Sequence, residues 1–96
     1  MKPSQAFEQN REQIRKIVAL HRASNARVFG SVLNHTDTST SDLDLLVDPL
    51  PGATLFDLGA IQIEIEESLG ISVDVVTPGD LPIKFRAQVL KDALPV

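Results

Sequence analysis

The segment Asp42-Leu43-Asp44-Leu45-Leu46-Val47 constrains the fold of this chain more than any other. A β-strand sends successive side chains to opposite faces. Read as a strand, the segment shows Asp42 and Asp44 on one face and Leu43, Leu45 and Val47 on the other. The aliphatic face needs a core, and the acidic face needs water or cations. A second run, Ile71-Ser72-Val73-Asp74-Val75-Val76, sets Asp74 inside a β-branched strand. An acid there is costly unless it faces a site. If the two strands are neighbours, three carboxylates converge on one face. At about 5 Å and an effective dielectric near 20, two like charges repel by roughly 3 kcal/mol. Either a pKa rises or a divalent cation neutralises the cluster. Oxygen-only donors suit Mg²⁺, with Mn²⁺ possible.

The other elements follow from periodicity and breakers. A first helix is expected from about Ser4, as N-cap, to Ala23, ended by Ser24-Asn25. Ala26 to Phe29 reads as a short strand that stops at Gly30-Ser31. Leu43 to Val47 is the next strand, and Pro49-x-Pro51-Gly52 breaks the chain after it. Thr54 and Asp57 resemble a capping box. Behind them Leu55, Leu58, Ile61, Ile65 and Leu69 form a stripe expected in the core, and Gly70 stops that helix. Thr77 to Asp80 is a turn. A last helix is expected from Pro82 to about Asp92, with Ile83, Val89 and Leu90 as its apolar contacts. The order is α-β-β-α-β-α. The fold class is α/β (α+β): a small mixed sheet, three-stranded or slightly larger, packed by two to three helices. Residues 1–96 are expected to form one domain.

Charge is unevenly placed. Residues 1–36 carry six Lys/Arg against two Glu, whereas residues 37–83 carry ten Asp/Glu and no Lys or Arg. A strongly acidic site with few local cations tends to hold metal rather than bare nucleic acid. With no cysteine, thiolate zinc sites and thiol chemistry are excluded. No apolar run approaches the ~18 residues that cross a bilayer, and the first residues lack the apolar segment of a signal peptide. A cytoplasmic protein is expected. Asp37 to Asp48 has acids at both ends of a twelve-residue window, like a calcium loop. Asp42 stands where that loop needs glycine, so this reading is rejected. His21 reads as a helix-face residue and His35 as a solvated loop residue.

Gly30-Ser31, a ten-residue spacer and then Asp42-Leu43-Asp44 complete the pattern. Glycine lets the backbone approach a phosphate, and the serine hydroxyl and backbone N–H groups can bind phosphate oxygens. Together with Val28-Phe29 before them, Ser41 to Val47, Gly70 to Pro78 and Val89 to Val96, these residues resemble the minimal nucleotidyltransferase family. That family lies within the DNA polymerase β-like nucleotidyltransferase superfamily. The resemblance covers nearly the whole chain. It implies a minimal polymerase-β-like fold in which Asp42, Asp44 and Asp74 hold two divalent metals. Gly30 and Ser31 would hold the triphosphate of ATP, and Asp74 would serve or position the general base. A hydroxyl would attack the α-phosphorus in line and pyrophosphate would leave.

The resemblance further implies an antitoxin that adds AMP to a tyrosine of a HEPN-domain ribonuclease toxin, its hetero-oligomeric partner. The alternative is a weak or inactive enzyme that neutralises the toxin by occlusion. Many relatives read Gly-Ser-x-Ala-Arg-Gly, whereas here Asn34 and His35 replace the Arg and the last Gly. His35, Arg22, Arg27, Lys84 and Arg86 are the candidate substitutes for that phosphate-binding cation. A polynucleotide or small-molecule transferase is a third reading, disfavoured by overall acidity. No direct nucleic-acid contact and no membrane contact are expected. Apolar surface between Ile83 and Val96 would fit a partner.

Overall fold

A computed structural model describes residues 1–96. Two short helices, α1 (Pro3–Gln9) and α2 (Arg11–Leu20), precede strand β1 (Ala23–Phe29). One helical turn, α3 (Gly30–Leu33), and a loop lead to β2 (Leu43–Pro49). Helix α4 (Leu55–Leu69) connects to β3 (Val73–Val76). A 3₁₀ turn (Pro78–Asp80), helix α5 (Ile83–Asp92) and the two-residue β4 (Leu94–Pro95) complete the chain. The sheet order is β3-β2-β1-β4. β1 is antiparallel to β2 and to β4, and β2 is parallel to β3. The mixed α/β architecture expected from the sequence is present, enlarged by one edge strand.

The core lies on one face of the sheet. Leu43, Leu45 and Val47 are completely buried there with Ile14 of α2 and Ile61 and Ile65 of α4. The acid-aliphatic alternation of β2 thus divides the faces as its period requires. Leu46, on the acidic face, is also completely buried, and the 3₁₀ turn packs against β2. The acidic face is therefore partly roofed, which the alternation alone does not reveal.

Several boundaries differ from the expected ones. The first helix is two helices, broken at Asn10 (φ −133°, ψ 24°). The Asn10 amide donates to Ala6 O at 2.8 Å, a local bond that competes with helix continuation. Pro3, not Ser4, opens α1 in the first helical position that proline favours. Ser4 N–H instead donates to the buried carboxylate of Asp37 at 2.9 Å. That bond, foremost, holds the Asp37 carboxyl below the ordinary range. Asp37 therefore caps a helix and has no part in an ion loop. α2 ends at Leu20 because Arg22 takes a left-handed conformation (φ 56°) and turns the chain into β1 at Ala23. β1 starts three residues earlier than expected, with a register shift between Ser24 and Arg27 that holds Asn25 at φ 52°. β3 begins at Val73 rather than Ile71.

Helix α4 obeys its sequence signals at both ends. Thr54 accepts from Phe56 N–H, Asp57 accepts from Thr54 N–H, and Gly70 closes the helix in the left-handed region. The core stripe is shorter than expected, since Leu55 is 83% exposed. Helix α5 buries none of its residues, and Ile83 is 84% exposed. No helix is long and apolar enough to cross a membrane.

His35 sits at φ 58°, where a side chain costs about 1–2 kcal/mol. Replacing it with glycine, which has no such penalty but is more flexible when unfolded, is expected to raise unfolding free energy by up to about 1 kcal/mol. Denaturant titration of His35→Gly checks this, and an unchanged or lower midpoint would contradict it.

Candidate active site

The site grows from the junction of β1 and α3. Phe29 pairs with Asp44 across β1 and β2, so Gly30 follows directly beside the Asp44 side chain. Gly30 adopts φ +70°, and a Cβ built there would lie 2.3 Å from Asp44 Oδ2. Only glycine satisfies both constraints, the left-handed backbone and the carboxylate against it. On the other flank, Asp44 is the register partner of Asp74 in the parallel pair β2–β3, so the two acids share a face. Asp42 stands immediately before β2, and Leu43 N–H donates to Ser72 O at 2.9 Å, which ties that end of β2 to the approach to β3.

The electrostatics follow from this packing. Asp44 is half-buried, whereas Asp42 and Asp74 are exposed. Burial pushes the Asp44 carboxyl up to about 6, helped by the charge of Asp74 and then that of Asp42. The charges of Asp74 and Asp42 therefore reach Asp44, as the strand pattern implied. Their side chains do not close on one point: no three acidic or histidine side chains stand at metal-ligating spacing. Asp44 is turned towards Gly30 while its two neighbours face water. The donor chemistry, oxygen-only and mutually repulsive, fits a hard divalent cation. Ser31, next to Gly30 in α3, is half-buried at the edge of this group.

The search for a phosphate-binding cation narrows sharply. Arg22 donates to Gly52 O at 3.1 Å. Arg27 lies on the acidic face but is paired with Asp48, which also accepts from Asn25. Arg86 donates to Leu81 O at 2.9 Å and Gly79 O at 3.3 Å, while its Nε is buried without a partner. His35 lies on the wall of a separate groove of about 420 Å³ with Phe7, Val32 and Leu94, apart from the carboxylates. Lys84 is exposed on α5 over the Phe85 ring. The Arg27–Asp48 pair and the Arg86 bonds were not legible in the sequence. The one hint was that Arg27 is the single cation within any strand.

Residues 12–95 match the family described as "Polymerase beta, Nucleotidyltransferase". The chain belongs to this nucleotidyltransferase family. It is 35% identical over 85 residues to the Methanocaldococcus jannaschii protein named "Putative protein adenylyltransferase MJ0435", covering 85% of this chain and 91% of that one. A solved structure described as a "putative minimal nucleotidyltransferase" superposes with TM-score 0.86 and 38% identity, over 97% of this chain and 95% of that one. A structure described as "the toxin-antitoxin with AMP-PNP" superposes with TM-score 0.74 over 90% of this chain and 71% of that one. At 19% identity, that second likeness shows a shared fold.

A carboxyl held near 6 against an ordinary 3.8 lowers stability above its raised pKa. That cost is relieved as pH falls through about 6 towards about 4, because the folded state then binds the proton more tightly. Asp44→Asn is accordingly expected to be more stable than the parent at pH 7 and to lose this part of the pH dependence. Thermal melts of both proteins from pH 4 to pH 8 check it; parallel curves would contradict it. Gly30→Ala is expected to cost about 1–2 kcal/mol from backbone conformation alone and to expel the Asp44 carboxylate from its place.

Proposed function

We propose that this nucleotidyltransferase is an antitoxin that transfers AMP from ATP to a hydroxyl of a cognate HEPN ribonuclease toxin. The acceptor in this reading is a tyrosine, and the setting is the cytoplasm. Residues 1–96 act as one domain. The observation that carries the reading is the contact of Asp44 with Gly30, with Asp74 registered beside it on one sheet face. This places a backbone that can approach phosphate next to acids that can hold a cation.

In this mechanism Asp42, Asp44 and Asp74 would hold Mg²⁺, or Mn²⁺ in its place, and Gly30 and Ser31 would receive the triphosphate. The bound cation would neutralise the phosphates and stabilise the attacking and leaving oxygens. The acceptor oxygen forms a bond to the α-phosphorus as the bond from that phosphorus to the bridging oxygen breaks. Pyrophosphate leaves, and the Asp74 carboxylate takes or directs the hydroxyl proton. Burial, and after it the charges of Asp74 and Asp42, raises the Asp44 carboxyl to about 6; a bound cation would favour its ionised form. A protein partner is supported by α5, which buries nothing and exposes Ile83, Phe85 and Leu90, with Leu94 after it.

A second reading, neutralisation by occlusion with little or no transfer, draws on one observation. Arg22, Arg27 and Arg86 are engaged within the chain, and Asn34-His35 offers no arginine in their place.

Intact mass measurement of the partner encoded beside this chain, after incubation with ATP and Mg²⁺, separates the two. A gain of one AMP or a small multiple is expected, and none with Asp42→Asn/Asp44→Asn. A stable complex with no mass gain would overturn the transfer reading in favour of occlusion. Millimolar Mg²⁺ with ATP is also expected to raise the melting temperature, since a ligand of the folded state alone stabilises it by mass action. The double variant should lose that rise.

A further inference from the structure

We propose that Asp37 is a positioning residue for Asp42, acting through its bond to the first turn of α1. The inference rests on the cation-binding role given to Asp42, and its test separates the two. Asp44 and Asp74 lie inside paired strands, where the register fixes them. Asp42 stands before β2 and has no register partner. On one side the bond from Leu43 N–H to Ser72 O holds the residue after it. On the other side its place depends on the segment that leads to it.

That segment is fastened at a single point. Residues 37–42 belong to no helix or strand. The one hydrogen bond that joins them to the rest of the chain is accepted by Asp37 from Ser4 N–H at 2.9 Å. Thr38, Thr40 and Ser41 bond only one another. Ser41 N–H donates to Thr38 O at 3.1 Å, and Thr38 N–H donates to Ser41 Oγ at 2.8 Å. The hydroxyls of Thr38 and Thr40 lie 3.1 Å apart. A turn closed on itself in this way passes the position of its first residue to its last.

Asp37 holds the start of the turn firmly. It is the only charged residue that is buried, at 8% exposure. A buried carboxylate needs its hydrogen bond, and a bond to a charged acceptor is stronger than one between neutral groups. Its donor lies 33 positions away, in a helix anchored by the buried Pro3, Ala6 and Phe7. Immediately before Asp37, Thr36 N–H donates to Ser31 O at 2.9 Å. The spacer between Gly30-Ser31 and Asp42 is thus two closed turns joined at Asp37, and α1 is the post to which that joint is tied. Asp37 itself touches neither the carboxylates nor a cation. Residues that orient a metal ligand from behind typically carry about ten- to hundredfold in metal affinity.

Calorimetric titration with ATP in the presence of Mg²⁺ is the test. Asp37→Ala is expected to bind at least about tenfold more weakly than the parent. Asp37→Asn, whose amide oxygen can accept from the same N–H, should recover most of that loss. Ile17→Val removes a methyl from the core on the other face of the sheet. It should melt at a lower temperature and still bind like the parent. Without ligand, backbone NMR order parameters of residues 38–42 should fall in Asp37→Ala and those of Leu43 to Val47 should not. Parent-like binding or unchanged order in Asp37→Ala would overturn the proposal and leave the cation role of Asp42 standing. So would an Asp37→Asn as weak as Asp37→Ala, or an equal loss in Ile17→Val. A parent that binds no ATP with Mg²⁺ would overturn both.

Discussion

The contact of Asp44 with Gly30 is the constraint around which the rest of the site is arranged. It joins the end of β1 to the acidic face of β2 with no side chain between them, because a Cβ at Gly30 would stand 2.3 Å from the carboxylate oxygen. The backbone at Gly30 must be left-handed to turn from β1 into α3. The carboxylate must lie on the face away from Leu43, Leu45 and Val47, since those three fill the core. The fold and the site therefore share residues, and neither can be altered at this point without disturbing the other.

The same contact explains the electrostatic character of the face. Asp44 is the middle acid of the three and the only one partly withdrawn from water. Burial and two like charges act in the same direction on it. The arginines that could have offset this are held elsewhere by carbonyl oxygens or by Asp48. An acid cluster left uncompensated inside its own chain is poised for a cation from outside.

Much of this was legible in the amino-acid order because it rests on short-range rules. The period of two in β2, the box at Thr54–Asp57 and the glycine stop at Gly70 each depend on neighbours within four residues. The strand patterns set Asp74 on the face of Asp44 only if the two strands were neighbours, a condition that the parallel pairing of β2 with β3 meets. What was not legible depends mostly on distant partners. The early start of β1 after Arg22 and the capping of α1 by Asp37 are settled by tertiary contacts, whereas the break at Asn10 rests on a local side-chain bond that competes with an otherwise continuous helical pattern. Leu55, Ile83 and Leu90 were expected inside and lie outside, since periodicity marks an apolar row without showing what covers it. The spread of the three carboxylates, with Asp44 turned to Gly30, belongs to the same class.

The edge strand β4 has a consequence for how the molecule assembles. It is two residues long, and it is fastened by Arg11 to Pro95 O and Arg15 to Val96 O, partners 84 and 81 positions apart. Val96 N–H adds one bond to Ala26 O. Closing a loop that spans most of the chain has an entropic cost, offset here by these bonds, by the pairing of Leu94 and Pro95 with β1 and by the burial of Val96 in the core. The last residues thus strap α2 to the β1 edge of the sheet, so that loss of Leu94 to Val96 would free the strand edge and both arginines together.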